Sequence, residues 1–294
     1  MVDFLQIVLN GVLTGLVYGI VAMSFVVIYR ASRIVNLAQG EVLLVGAYFL
    51  WTAIFGLHLP LVLGLVVALA ACMGFGMILE RTIFRPLIGQ PAFSIVMASI
   101  GLMILLRGLI QVAWGAQDRQ FPGILPGGAL QVGEFLFNKA LLIGAAATVL
   151  LVEALNWYFL HTDSGLRLAA VAEDHVTALS MGVSVPRAAN IAWVLGVGLA
   201  SVAAVIVLSG TILGLSVSAI GFRALPVALL GGLESVRGAP LAGVIIGVGE
   251  ALASEYLDPL TNGAMSQVFP FLIMIGVLLI RPQGLFGWKI IERV

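Results

Sequence analysis

The chain has 294 residues, 61% hydrophobic and 10% charged, with a mean hydropathy of +1.16. Soluble domains carry roughly 25% charged residues, and a soluble core at this length does not absorb so much apolar surface. The composition therefore describes a polytopic membrane protein with little extramembrane mass, and a formal net charge of zero makes nucleic acid an unexpected partner.

The first apolar stretch, residues 4–29, lacks a basic leader and is long enough to span, so it reads as a membrane helix rather than a cleavable signal. Gly11, Gly15 and Gly19 recur every four residues along it and form a close-packing face for another helix. Arg30 and Arg33 follow and put the inner side after this span, with the N-terminus outside.

Asn36-Leu-Ala-Gln-Gly-Glu41 then opens the second span. Polar groups at membrane depth are costly unless they face protein or water. The segment is either an interfacial helix start or a broken helix entering the bundle. Under the second reading Asn36, Gln39, Gly40 and Glu41 are candidates for the solute path or its gate.

Further spans are expected at 61–79, 92–114, 136–160 and 191–213. A basic inner loop with Glu80, Arg81 and Arg85 follows the third, and an outer loop of low positive charge, 115–133, follows the fourth. Residues 221–233 form a short or re-entrant apolar segment. A turn at 234–238 then leads to a span over 238–255, and the last span covers 269–280. The fold class is thus an all-α membrane bundle of about eight spans plus one short segment, a single domain over 1–294 with the C-terminus inside. Gly243 and Gly247 repeat the close-packing signal of the first span. The tail from Arg281 to Trp288, with Lys289 and Arg293 beyond it, has the cations and aromatic of a membrane-surface anchor.

A polar stretch of about thirty residues, 161–190, interrupts the apolar pattern. Thr162, Asp163 and Ser164 are helix N-cap residue types, and Gly182 is a C-terminal stop. Leu168, Val171, Ala172, Val176 and Leu179 recur at helical spacing, opposite Glu173 and Asp174. An amphipathic helix between two spans is either a docking element for another protein or a helix lying on the membrane surface.

Two charges lie deep in expected spans. Arg107 and Glu250 fall roughly 18–22 Å from the inner boundary at 1.5 Å per residue. They either pair or snorkel separately to the outer interface. His58, His161 and His175 are too scattered for a metal, and Cys72, the one cysteine, is a packing residue that forms no intrachain disulfide. There is no Walker A motif and no paired-carboxylate or Ser-His-Asp arrangement, so the chain is not expected to be an enzyme or to hold a cofactor itself.

Several motifs together resemble the H-type permeases of branched-chain amino acid ABC transporters, an inner-membrane permease family shared with urea, amide and sugar importers. Gly165-Leu-Arg-Leu-Ala-Ala-Val-Ala-Glu-Asp174 with Ala178, Met181-Gly-Val183 and Arg187 is similar to that family's cytoplasmic loop. Asn36-Leu-Ala-Gln-Gly-Glu41 resembles its second-span opening, and Leu79-Glu-Arg81 with Arg85-Pro-Leu87 its basic loop. Leu229-Leu-Gly-Gly232 with Gly238, Gly243, Gly247 and Glu250 resembles its late glycine-rich segment, and Arg281-Pro-Gln-Gly284 its end.

The resemblance implies a pore completed by a second permease, two ATPase subunits that bind ATP-Mg, and a periplasmic binding protein. It makes Leu166 to Met181 a coupling helix, with Gly165, Leu166, Arg167, Ala172, Glu173, Asp174, Ala178, Gly182 and Arg187 as the ATPase-coupling set. Gly231 and Gly232 join the path residues. The chain departs from the pattern at Gln39, where the family commonly has His, and at Arg107, where an uncharged residue is usual. Related permeases move urea, short amides or aromatic acids. Without the resemblance, an ion-coupled secondary transporter or channel stands as the alternative.

Overall fold

The computed structural model describes residues 2–287. Twelve helices follow one another: α1 (Val2–Ser32), α2 (Gln39–Trp51), α3 (Leu61–Leu79), α4 (Ala92–Trp114), α5 (Lys139–His161), α6 (Asp163–Glu173), α7 (His175–Ser180), α8 (Val185–Leu208), α9 (Ala219–Gly231), α10 (Gly238–Tyr256), α11 (Asp258–Thr261) and α12 (Met265–Ile280). Six of these segments are long and apolar enough to cross a membrane: α1, Gln39–Gly56, Leu61–Leu87, α4, α5 and α8. Leu215–Gly231 and α12 are shorter apolar helices, and α10 has 19 residues, about 28 Å at 1.5 Å per residue. This is the expected all-α bundle.

The four strands are short and lie in loops. β1 (Arg119–Gln120) pairs antiparallel with β4 (Ile212–Leu213), and β2 (Ala129–Val132) pairs with β3 (Phe135–Asn138). The hairpin explains why α5 begins at Lys139 and not at 136. Gly133, at φ +65°, makes the two-residue turn, and residues 135–138 are spent on pairing with β2. Similarly α8 starts at Val185, with Pro186 in its first turn, and ends at Leu208. Hydropathy locates only the apolar part of such a helix; Arg187 and Asn190 belong to it but lie outside that part.

Two compact units make up the chain. The first comprises residues up to Val26, Leu125–Leu155 and the chain from Arg223 onward. Its centre is the crossing of α1 and α10. A Cβ added at Gly11 would come within 2.8 Å of the Val248 Cα, and one at Gly19 within 2.8 Å of the Pro240 Cα. Gly15 faces the Gly243 carbonyl, and Gly247 faces Gly11 and Gly15. Backbones this close exclude any side chain at these positions, as in small-residue membrane crossings. Gly249, two residues past Gly247, turns instead to Phe269 and Ile273 of α12. The Thr148 hydroxyl donates to the Leu16 carbonyl at 3.0 Å, tying α5 to α1. Arg237, in the turn between α9 and α10, pairs with Glu153 of α5 at 2.7 Å. The tail folds back on α9, where the Leu285 N–H donates to the Leu230 carbonyl at 2.8 Å. Trp288, Lys289 and Arg293, read as anchor residues, lie outside the described residues.

The second unit comprises Val27–Ile124 and Asn156–Phe222. Helices α2, α3 and α8 form its core. Gly76 of α3 lets the backbone approach Trp193 of α8, whose ring is buried and stacks on Phe84 with centroids 4.3 Å apart. Gly46 of α2 meets Ser201 of α8 in the same way. Cys72 is buried here as packing. After α3 the chain makes a π-helical turn, Glu80–Phe84. Its i→i+5 spacing brings Arg85 back over Glu80, and the guanidinium donates to both carboxylate oxygens at 3.0 and 2.9 Å.

Candidate solute path and docking element

The polar opening of the second span is a break between helices, buried within the second unit. α1 ends at Ser32, and Arg33 takes a left-handed conformation, φ +55°. The chain then runs non-helically to α2 with Asn36, Gln39 and Glu41 each at most 1% exposed. Asn36 organises the break. Its side-chain carbonyl accepts from the Ala38 N–H at 3.1 Å, and its amide donates to the Gln39 side chain at 3.0 Å. Buried amides must be satisfied in this way.

Gly40 fits because the segment Leu215–Gly231 crosses directly above it. A Cβ there would overlap the Ser218 carbonyl, and one on Gly221 would overlap Gly40. The close crossing brings Ser218 beside the Glu41 carboxylate. Arg107 of α4, an exposed side chain, donates to the Ser218 hydroxyl at 3.2 Å and acts electrostatically on Glu41. One oxygen of that carboxylate, Oε2, is buried with no hydrogen-bond partner among the described residues. A cation, a hydroxyl and an incompletely used carboxylate thus meet at one helix crossing.

Glu250 belongs to the first unit and has partners there. Arg223 lies 3.7 Å from its Oε1, and the Tyr18 hydroxyl donates to the same oxygen at 3.4 Å. Each of the two deep charges therefore has a polar neighbour within its own unit. Gly231 and Gly232 belong to the first unit, and the Asn36–Glu41 set to the second. Gly231 packs on Gly238, and Gly232, at φ +90°, packs on Gly287.

Between α5 and α8, the two helices α6 and α7 stand in place of the single helix expected over Leu166 to Met181. Thr162 caps α6 by accepting from the Gly165 N–H at 3.0 Å. Gly165 lies against the Tyr158 carbonyl at the end of α5, where no side chain fits. Asp174 then breaks the helix. It adopts an extended conformation, φ −152° and ψ 120°, and its carboxylate accepts from the Thr177 N–H at 2.6 Å as the N-cap of α7. An Asp serves the backbone better as a cap than as a helix-interior residue. Gly182 closes α7 at φ +76°, with Val183 N–H to Ala178 carbonyl and Gly182 N–H to Leu179 carbonyl bonds, a Schellman motif.

Leu168, Val171, Ala172 and Ala178 are buried, while Leu166, Arg167, Glu173, Leu179 and Met181 face outward. Arg33 donates to the Ala172 carbonyl, and the Arg30 guanidinium sits 4.4 Å over the Phe159 ring. The segment 33–38 that leads into α2 is thus tied to the end of α6 through Arg33. Arg187, in the first turn of α8, is exposed.

Sequence reasoning did not single out Ser218, Tyr18 or Arg223. Arg223, a cation inside a short apolar segment, carries a signal of the same kind as Arg107; Ser218 carries none. Among the described residues no group of three or more metal-ligating side chains occurs.

Two units built from apolar helices, with a polar break between α1 and α2 and a capped helix pair between α5 and α8, describe a polytopic membrane protein. The family comparison agrees: residues 7–278 match the model of the family described as branched-chain amino acid transport system / permease component, and the chain belongs to that family. The LivH permease protein of Salmonella typhimurium is 29% identical over 307 residues, covering 99% of this chain and 98% of that protein. BraD of Pseudomonas aeruginosa is 28% identical over 313 residues with the same coverage, and a probable LivH of Methanocaldococcus jannaschii is 26% identical over 296 residues, covering 94% and 90%. A chain of PsaBC from Streptococcus pneumoniae, solved in complex with Fab, aligns over 95% of this chain and 92% of that one with a TM-score of 0.46 at 20% identity. The chain is accordingly a permease subunit of an ABC importer of the branched-chain amino acid type, and not an enzyme.

Proposed function

We propose that this chain, working as one permease domain over 1–294, forms with a second related permease the path for a branched-chain amino acid or a similar small solute. The site at the α2 opening is the part of that path that reads the solute. The observation that carries this is the Glu41 carboxylate, buried in a membrane span with one oxygen unpartnered. An ionisable group held at such a cost points to function. Glu41 and Arg107 present opposite charges on either side of Ser218, which suits a solute bearing an ammonium and a carboxylate. A neutral urea or amide can hydrogen-bond to the same pair but would leave both charges uncompensated.

The remaining assembly follows the same reading. Two ATPase subunits binding ATP-Mg dock on the inner side of the permease pair, one of them on the helix pair α6–α7 of this chain, and a binding protein delivers solute from the outer side. Of the coupling set, Leu166, Arg167 and Glu173 meet the partner, while Gly165, Ala172, Asp174, Ala178 and Gly182 shape the element; Arg187, in the first turn of α8, lies outside the helix pair and is not assigned to the ATPase contact. Movement of that element reaches the α2 opening through Arg33, which holds the Ala172 carbonyl at the head of the 33–38 segment. A docked helix transmits a change only if the partner's states contact it differently. Gly231, Gly232, Gly243 and Gly247 serve as packing positions.

The test is leucine uptake by the complete importer in proteoliposomes with Glu41→Gln, which keeps shape and removes charge. Uptake should fall by about tenfold or more, as loss of one charge-assisted contact gives, while the ATPase subunits remain bound. Undiminished uptake would remove Glu41 from the path.

A further inference from the structure

Glu80 collects the charge of its neighbourhood. Arg85 binds it through two nitrogens, and the Asn190 side-chain amide donates to it at 2.8 Å. That leaves the adjoining guanidiniums of Arg81 and Arg187 exposed, with no ion pair or hydrogen bond to any of the described residues. Both line one cavity of about 290 Å³, together with Met77, Arg85, Asn190 and Ile191. This volume lies near the lower end of the range for small-ligand sites. A cavity that gathers cations without an anion calls for one from outside the chain.

The arrangement along the two helices says what kind. Met77, in the last turn of α3, lies four residues before Arg81 in the π-helical turn that continues it, and Ile191 lies four residues after Arg187 on α8, so each pair lies on roughly one face. α3 ends at this edge and α8 begins at it. In both helices the apolar residue is therefore about one turn, roughly 6 Å, deeper in the membrane than the cation. Met77 is 46% exposed, and its neighbour Ile78 is 59% exposed, so this side of α3 faces outward toward hydrocarbon. Two apolar contacts below and two unpaired guanidiniums above match a chain-bearing phosphate: acyl carbons against Met77 and Ile191, and phosphate oxygens between Arg81 and Arg187. Basic pockets between helices at a membrane edge select anionic headgroups in this way, and guanidinium forks suit phosphate oxygens.

We propose that the cavity between the end of α3 and the start of α8 is a binding site for the phosphate of an anionic phospholipid, held by Arg81 and Arg187. The ligand chemistry is that of a phosphate monoanion, and its membrane-side lining assigns it to a lipid in preference to free phosphate.

The full importer is placed in nanodiscs mixing phosphatidylglycerol and phosphatidylcholine, and retained lipids are counted by native mass spectrometry. The wild type should keep phosphatidylglycerol preferentially. Arg81→Gln with Arg187→Gln should reduce that preference about tenfold, and Arg81→Lys with Arg187→Lys should keep most of it. Helical content and monodispersity of the variants are measured alongside, so that misfolding is not scored as lost binding. A second arm titrates inorganic phosphate into the importer in phosphatidylcholine alone. If phosphate binding depends on Arg81 while no phosphatidylglycerol preference exists, the site holds a free anion and the lipid assignment fails. If the Gln pair keeps the lipid preference but loses its ATPase subunits, the cations serve a protein partner and the proposal is overturned.

Discussion

The charged residues of this chain that matter most are those whose partners come from far along the sequence. Glu41 was legible as unusual, because a carboxylate opening a span has no cheap place in hydrocarbon. What surrounds it was not legible: Ser218 looks like any small polar residue, and only the Gly40–Gly221 crossing makes it a neighbour. Asp258 gives a second case outside the spans. Helix α12 starts after Ala264, which has no capping side chain, and the first-turn N–H of Ser266 donates instead to the Asp258 carboxylate at 2.9 Å. These bonds from Ser266, side chain and backbone, hold the Asp258 carboxyl below its ordinary value. With the folded value below an unfolded value of about 4, the stabilisation is complete above about pH 4 and disappears as pH falls through the folded value. Hydrogen exchange of the first turn of α12, corrected for intrinsic rates, should be constant from neutral pH to about 4 and accelerate below it. In Asp258→Ala the turn should exchange faster at every pH and show no such step. An identical profile in both proteins would deny the cap.

At the scale of elements, the helix pair α6–α7 separates what local sequence encodes from what it hides. The N-cap at Thr162 and the stop at Gly182 follow from local chemistry alone and are where the residues put them. The break at Asp174 is equally local, but apolar periodicity runs straight through it, because α7 resumes with its buried residue Ala178 still facing inward. Period detects the face and misses the cap. The break has a consequence for docking. It leaves Leu166 at 51%, Leu179 at 57% and Met181 at 80% exposure, apolar side chains in an otherwise polar stretch. Such exposure marks contact surface in a way that scattered charges do not. Met181→Asp should therefore reduce copurification of the ATPase subunits by about tenfold or more, while leaving the permease pair inserted and assembled, since the Met181 side chain is 80% exposed. Full retention of the ATPase would move the docking face elsewhere. The small-residue faces on α1 and α10 were legible as packing faces, and the structure supplies their match: Gly11, Gly15 and Gly19 against Val248, Gly243 and Pro240. Spacing alone names a face and not the helix that fills it.

For the whole molecule, hydropathy recovers the number of apolar segments, because long runs without charges have few alternatives in water. It falters between 208 and 238, where the apolar helices are short and strands and turns intervene. Two local pairings bear on that region. β4, just after α8, hydrogen-bonds β1 in the loop between α4 and α5, so α8 ends on the side where that loop lies. Arg237, after α9, pairs with Glu153, in the latter part of α5. With the basic residues after α12 placed inside, Leu215–Gly231 is expected to cross the membrane despite its length. The topology expected from the basic-inside bias puts the N-terminus and the 115–138 loop outside and the 232–237 turn and the C-terminus inside, with Arg81, Arg85, Arg167 and Arg187 on the inner face. Single cysteines introduced into a Cys72→Ala background test it, at Gln90, Gly127, Glu234 and Leu260. A membrane-impermeant maleimide applied to spheroplasts should label Gly127→Cys and Leu260→Cys directly, and Gln90→Cys and Glu234→Cys only after permeabilisation. If Leu215–Gly231 instead dips in and returns, Glu234→Cys becomes reactive from outside and Leu260→Cys is protected. The α10 and α12 orientations would then be reversed, and the C-terminus would lie outside.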